Sequence, residues 1–108
     1  MTQKHPKPVE LSKARLCVIR NRGSGKEDDQ VVQQITEGLQ PAVAEFSLRQ
    51  TDDGSRLLDM ARQAVDEGFD IIVAAGGDGT QSAVAGALAG RDAMMGVLPC
   101  GTFNYFAR

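Results

Sequence analysis

The sequence has little of several things, and each shortage removes a class of function. It has two cysteines, Cys17 and Cys100, far apart in the chain. Two thiols are too few for a disulfide framework, so a reduced, cytoplasmic setting is the simple reading. It has one histidine, His5, without a cysteine or second histidine nearby. A solvated side chain fits that better than a metal ligand does. Basic residues are not in excess: 12 Lys and Arg stand against 14 Asp and Glu, giving a net charge of −2. They are also scattered, which argues against a nucleic-acid surface. No apolar run approaches the roughly 20 residues of a membrane span, and the N-terminus lacks a signal-peptide core. A soluble chain is expected, with contact at a membrane surface left open. Neither an internal repeat nor a low-complexity segment interrupts the 108 residues, and their 42% hydrophobic content suits one domain.

What is present centres on Ile71-Ile72-Val73-Ala74-Ala75-Gly76-Gly77-Asp78-Gly79-Thr80. Five apolar residues without polar alternation suit a strand covered on both faces, and the β-branched Ile71, Ile72 and Val73 favour a strand over a helix. The run then stops in a glycine turn. Gly76, Gly77 and Gly79 allow unusual backbone conformations and the close approach of a ligand, while Asp78 and Thr80 bring a carboxylate and a hydroxyl. The small residues from Gln81 to Leu88 open a helix. A strand, glycine turn and helix N-terminus together aim several amide N–H groups at one spot, which suits a phosphate. Asp78 and Thr80 would equally serve as caps of that helix.

Around this stretch the chain alternates regularly. Residues 1 to about 13 are polar and carry Pro6 and Pro8, which reads as a mobile tail ahead of a domain over 14–108. Arg15 to Arg20 forms a first strand, ending in Asn21-Arg22-Gly23-Ser24-Gly25-Lys26. That loop could face a phosphate, yet it lacks the full Walker spacing, and solvated loops share its composition. Val31, Val32, Ile35 and Leu39 recur at helical spacing up to Pro41. Ala44 to Gln50 makes a second strand, Thr51 to Ser55 a turn with capping residues, and Leu57, Leu58, Ala61, Ala64 and Val65 the next helical face, closed by Gly68. Met94 to Leu98 is a fourth strand, with Met94 and Met95 expected in core packing. The order βαβαβαβ predicts an α/β fold: a parallel sheet with helices on both faces, in a Rossmann-like three-layer arrangement.

Gly76-Gly77-Asp78-Gly79-Thr80, followed about twenty residues later by Pro99-Cys100-Gly101-Thr102-Phe103-Asn104, resembles the catalytic domain of the diacylglycerol kinase family, the bacterial lipid kinases above all. Asn21 with Gly23-Ser24-Gly25-Lys26, and Thr51 with Gly54, match the family's first two loops. The resemblance implies an ATP-dependent lipid kinase using Mg²⁺, with ATP contacted by Thr51, by Gly76, Gly77, Asp78, Gly79, Thr80, Gln81 and Ser82, and by Gly101 and Thr102. Asn21 and Asn104 would line the same cleft, and Asp78 is the candidate catalytic group, holding metal or accepting a proton. The partners implied are ATP and a lipid such as diacylglycerol, with no nucleic acid. Peripheral contact at the inner membrane surface and a homodimer are compatible with it.

The chain departs from the family pattern at several points. Ser82-Ala83 stands where Asn-Glu is usual, Arg22 follows Asn21 where proline is usual, and Tyr105 stands where aspartate is common. Family members also carry a second, mostly β domain, which supplies further catalytic and metal-binding carboxylates. Residues up to Arg108 therefore read as the nucleotide-binding portion of a longer enzyme, inactive alone, with a final helix from Phe103 begun but not ended. Two other readings stay open. An NAD kinase shares the Gly-Gly-Asp-Gly-Thr turn, and a non-catalytic nucleotide-binding module would tolerate the altered Ser82-Ala83 pair.

Overall fold

A strand with no polar alternation should be buried on both faces, and Ile71–Gly76 is buried at every position. The computed structural model describes residues 10–22 and 28–99. Within them four strands form one parallel sheet: β1 (Arg15–Asn21), β2 (Glu45–Thr51), β3 (Ile71–Gly76) and β4 (Met94–Pro99), in the order β2-β1-β3-β4. Three helices connect them, α1 (Asp28–Leu39), α2 (Leu57–Asp66) and α3 (Asp78–Leu88). A single 3-10 turn, Leu11–Lys13, leads into β1 from the segment read as tail. The loop 23–27 and residues 100–108, including the expected final helix, lie outside the described residues.

The period-2 alternation of each central strand sorts its side chains between two layers. Leu16 and Val18 of β1 join Ile71, Val73 and Ala75 of β3 and Ile35 of α1, with Val31, Leu39, Phe46 and Leu48 packed against them. Cys17 and Ile19, with Ile72 and Ala74, face the other way onto Leu57, Ala61 and Ala64 of α2 and Val84, Ala87 and Leu88 of α3. This is the expected three-layer arrangement. The α1 stripe runs through Val31, Ile35 and Leu39 rather than Val32, because positions four apart stack on one helical face. At the edge strand β4 the expectation divides. Met95 packs on the core, but Met94 is 42% exposed, since neighbouring side chains of a strand point to opposite faces and Met94 opens an edge strand.

Burial also settles the chemistry of Cys17. It is wholly buried in β1, and burial pushes its thiol up to about 11. The sulfur is packing material rather than a reactive group.

At the amino end of the sheet two arginines lie over the ring of Phe69, with the guanidinium carbons of Arg15 and Arg49 at 4.5 and 5.2 Å from its centroid. Arg15 bonds Glu45 at 2.8 Å and Arg49 bonds Glu67 at 2.6 Å. The Arg49 hydrogen bond, followed by the charges of Arg49 and Arg15, holds the Glu67 carboxyl below its ordinary 4.5. A lowered folded value means the pair's contribution is complete above pH 4.5 and is lost as pH falls through the folded value. Glu67→Gln should therefore lower Tm slightly at pH 7, where the contribution is complete, and meet the wild type at low pH, which flattens the acid limb of a plot of Tm against pH. An unchanged acid limb would remove Glu67 from the acid response.

Candidate functional site

The strand order creates the site. α1 packs on one face of the sheet and α3 on the other, so the connections of the neighbouring strands β1 and β3 go to opposite faces, the arrangement that in parallel sheets opens a crevice at the carboxyl ends of the strands. Register aligns the candidates along that edge. Asn21 pairs with Thr51, Gly76 pairs with Pro99, and Arg20, immediately before Asn21, pairs with Ala75, immediately before Gly76. Thr51, Asn21 and Gly76 thus lie in one row across adjacent strands, each about 4.8 Å from the next.

Gly76 is required by the fold itself. Its φ is +155°, and a Cβ there would lie 2.6 Å from the Thr80 hydroxyl oxygen. Gly77 and Gly79 are different. Among the described residues nothing lies within 4 Å of a Cβ built at either position, so packing does not demand glycine there. Gly77 is the N-cap residue of α3, in extended conformation and without a side-chain cap bond. The first backbone bond of the helix runs from the Gln81 N–H to the Gly77 carbonyl at 3.0 Å. The amides of Asp78, Gly79 and Thr80 are left without an acceptor among the described residues, as a helix N-terminus requires. Gln81 also turns its side chain back, donating from Nε2 to the Gly76 carbonyl at 3.5 Å.

The capping alternative does not hold for either polar residue of the turn. Asp78 is the first helical residue rather than the cap, it is exposed, and its carboxylate bonds none of the described residues. Thr80 is 2% exposed, with its hydroxyl against the Gly76 backbone and without a hydrogen bond among the described residues. A buried hydroxyl in that condition costs free energy unless a ligand satisfies it. Ser82 is exposed one turn into α3.

On the β2 side, the Thr51 hydroxyl accepts from the Asp53 N–H at 3.0 Å, and its carbonyl accepts from the Arg22 N–H at 2.8 Å. The Asp53 carboxylate accepts from the Ser55 hydroxyl at 2.7 Å and the Ser55 N–H at 3.0 Å, which holds its pKa below the usual range and caps the turn Gly54–Arg56. Asn21 lies beside this loop, its amide nitrogen 3.8 Å from a Cβ built at Gly54. The structure therefore brings Asn21, Thr51 and 76–82 to one edge. Gly101, Thr102 and Asn104 lie outside the described residues, as does Lys26, although β4 ends at this same edge. Sequence reasoning missed Arg20, which ends the apolar run of β1 and is 8% exposed, bonded to Gln50. The sole signal was a charge directly after four apolar residues.

A crevice at a switch point with a glycine turn under it is common to many nucleotide folds, and comparison with known proteins narrows it. The model of the family described as diacylglycerol kinase catalytic domain matches residues 15–108. The chain belongs to that family. A diacylglycerol kinase of Bacillus subtilis (strain 168) is 37% identical over 97 residues, covering 87% of this chain and 32% of its own length. A probable lipid kinase YegS-like of Pseudomonas aeruginosa (strain UCBPP-PA14) is 37% identical over 95 residues, 86% of this chain and 30% of its own. A namesake from Stenotrophomonas maltophilia (strain K279a) is 51% identical over 51 residues, 42% of this chain and 16% of its own. The chain spans about a third or less of the curated relatives it matches. Among solved structures, the C-terminal domain of a hydrogenase from Pyrococcus furiosus superposes with a TM-score of 0.52 over 91% of this chain and 100% of its own, at 15% identity. That likeness is one of fold alone. The diacylglycerol kinase family is a family of lipid kinases, which favours the lipid-kinase alternative over the NAD kinase one.

Proposed function

We propose that the protein carrying this chain is an ATP-dependent lipid kinase and that residues 14–108 are its ATP-binding domain. The observation that carries this reading is the open space over Gly77 and Gly79, beside three amides without acceptors. Glycines that packing does not require are explained by a ligand that comes close to the backbone, and a row of outward N–H groups at a helix N-terminus suits phosphate oxygens. The amides of Asp78, Gly79 and Thr80 would bind and orient the phosphates, the Thr80 hydroxyl would gain a partner, and Gln81 and Ser82 would flank the turn. Asn21 and Thr51 would line the nucleotide side of the cleft, with Gly101, Thr102 and Asn104 completing it.

Phosphoryl transfer asks mainly for positioning and neutralisation of charge. Among the described residues no cluster of three metal-ligating side chains occurs. One carboxylate with substrate phosphates is a sufficient protein share for Mg²⁺, and Asp78 offers it at the turn. Mg²⁺, when bound, would neutralise phosphate charge; Asp78 would hold it or take the proton of the acceptor hydroxyl. The acceptor is a lipid hydroxyl such as that of diacylglycerol. No helix among the described residues is long and apolar enough to cross a membrane. In this reading the enzyme works from the cytoplasm and meets its lipid at the inner membrane surface, alone or as a homodimer.

The test is transfer of labelled γ-phosphate to diacylglycerol in mixed micelles. The full-length protein should transfer it, and the 108-residue chain alone should not, because the remaining two thirds of its relatives' length would complete the lipid cleft. Turnover by the isolated chain would sink the requirement for a second domain. ATP binding by the full-length protein without transfer to any lipid would favour a non-catalytic nucleotide module, the reading that Ser82-Ala83 keeps alive.

A further inference from the structure

Among the described residues two polar or charged side chains are buried, Arg20 and Thr80, and both stand at the carboxyl edge of the central strands. Thr80 belongs to the glycine turn. Arg20 approaches from β1, and its burial is the more costly, since a guanidinium cannot escape by losing its proton. Its Nη1 donates to the Gln50 side-chain oxygen at 2.7 Å, across the paired positions Arg20 and Gln50 of β1 and β2. A short, charge-assisted bond in a partly buried setting favours one geometry of both partners.

The topology makes that bond matter to the site. β2 is an edge strand with β1 as its one neighbour, so the place of Thr51 relative to the glycine turn is set through β1. The carboxyl ends of the two strands are fastened on either side of the Asn21 and Thr51 pair. Before it comes Arg20 to Gln50, and after it the Arg22 N–H to the Thr51 carbonyl at 2.8 Å. Beyond Thr51 the chain turns away into Asp53 and Ser55, which bond each other and neither β1 nor β3.

We propose that Arg20 is a positioning residue for the nucleotide, acting through Gln50 to hold Thr51 in register with Asn21 and the glycine turn. This rests on the reading of the crevice as an ATP site. Loss of the clamp should loosen one wall of the nucleotide cleft without touching the transferring phosphate, and so should appear in the KM for ATP rather than in kcat.

The experiment compares Gln50→Leu, Arg20→Gln and the double variant in the full-length protein, with ATP and diacylglycerol as substrates and thermal melts alongside. Gln50→Leu should raise the KM for ATP about tenfold with kcat within about twofold, while the KM for diacylglycerol stays put. The double variant should be no worse than the more affected single one, because both remove the same bond. Gln50→Glu keeps an acceptor oxygen and should raise the KM less than Gln50→Leu. Arg20→Gln risks the fold because the site is buried; Gln50, only partly buried, then carries the test. A folded Gln50→Leu enzyme with an unchanged KM for ATP overturns the proposal, as does a uniform fall in kcat with both KM values altered. A wild-type protein that transfers nothing from ATP overturns the functional reading first, a result distinct from an active enzyme indifferent to the clamp.

Discussion

Asp78→Asn in the full-length protein is expected to slow phosphoryl transfer by about 10²–10⁴-fold, the usual weight of a proton-transfer or charge-placing group, with the fold intact. The structure sharpens this expectation. Asp78 is exposed at the first position of α3, it does not cap the helix, and its carboxylate bonds none of the described residues. Asparagine keeps its shape, so the fold loses only the attraction of a negative charge to the helix N-terminus, about 0.3–1 kcal/mol. A bare carboxylate facing a triphosphate would repel it, and its presence in an anion site calls for a cation or a proton to accept. Wild-type turnover by the Asn variant would reduce Asp78 to architecture.

The glycines of the turn should separate into two kinds when each is changed to alanine. Gly79 lies in the first turn of α3 with open space about it, so alanine there should stabilise the helix by about 0.5–1 kcal/mol. The same methyl group would stand where phosphate oxygens approach, and the KM for ATP should rise more than about tenfold. Gly76→Ala should act in the opposite direction on stability. At φ +155° its Cβ would meet the Thr80 hydroxyl at 2.6 Å, a strained backbone costing about 1–3 kcal/mol before any repacking. Melting temperatures and ATP titrations on the two variants read both effects. A Gly79→Ala protein that is more stable and binds ATP as before would contradict the phosphate assignment.

Much of this was legible in the residues because the signals were periodic or punctuated. The run from Ile71 to Ala75, short, apolar and led by β-branched residues, favours a strand covered on both sides, and β3 is that strand. The stripe of Leu57, Ala61 and Ala64 marks the face α2 buries. Local sequence does not report what lies across the sheet. Met94 and Met95 look alike in sequence, and only the sheet's layering tells that one meets the core and the other solvent. The capping power of Asp78 is a property of its side chain, but which residue caps depends on where β3 releases the backbone, and that is Gly77. Arg20 was missed for the same reason. Its partners across the sheet, Gln50 and Ala75, lie 30 and 55 positions away, which no window along the chain contains.

The two layers of the sheet are unequal, and that has a dynamic consequence. α2 buries three side chains and α3 four, whereas α1 fully buries Ile35 alone among its described side chains. Opening free energies follow buried apolar contact, so α1 should detach in excursions that leave the rest of the sheet standing. Its amides would exchange with solvent ahead of those in α2 and α3. The helix that follows β1 is thus the softest layer of the domain. A ligand that held α1 to the sheet would slow that exchange, because each excursion of the helix would then cost the ligand's release as well.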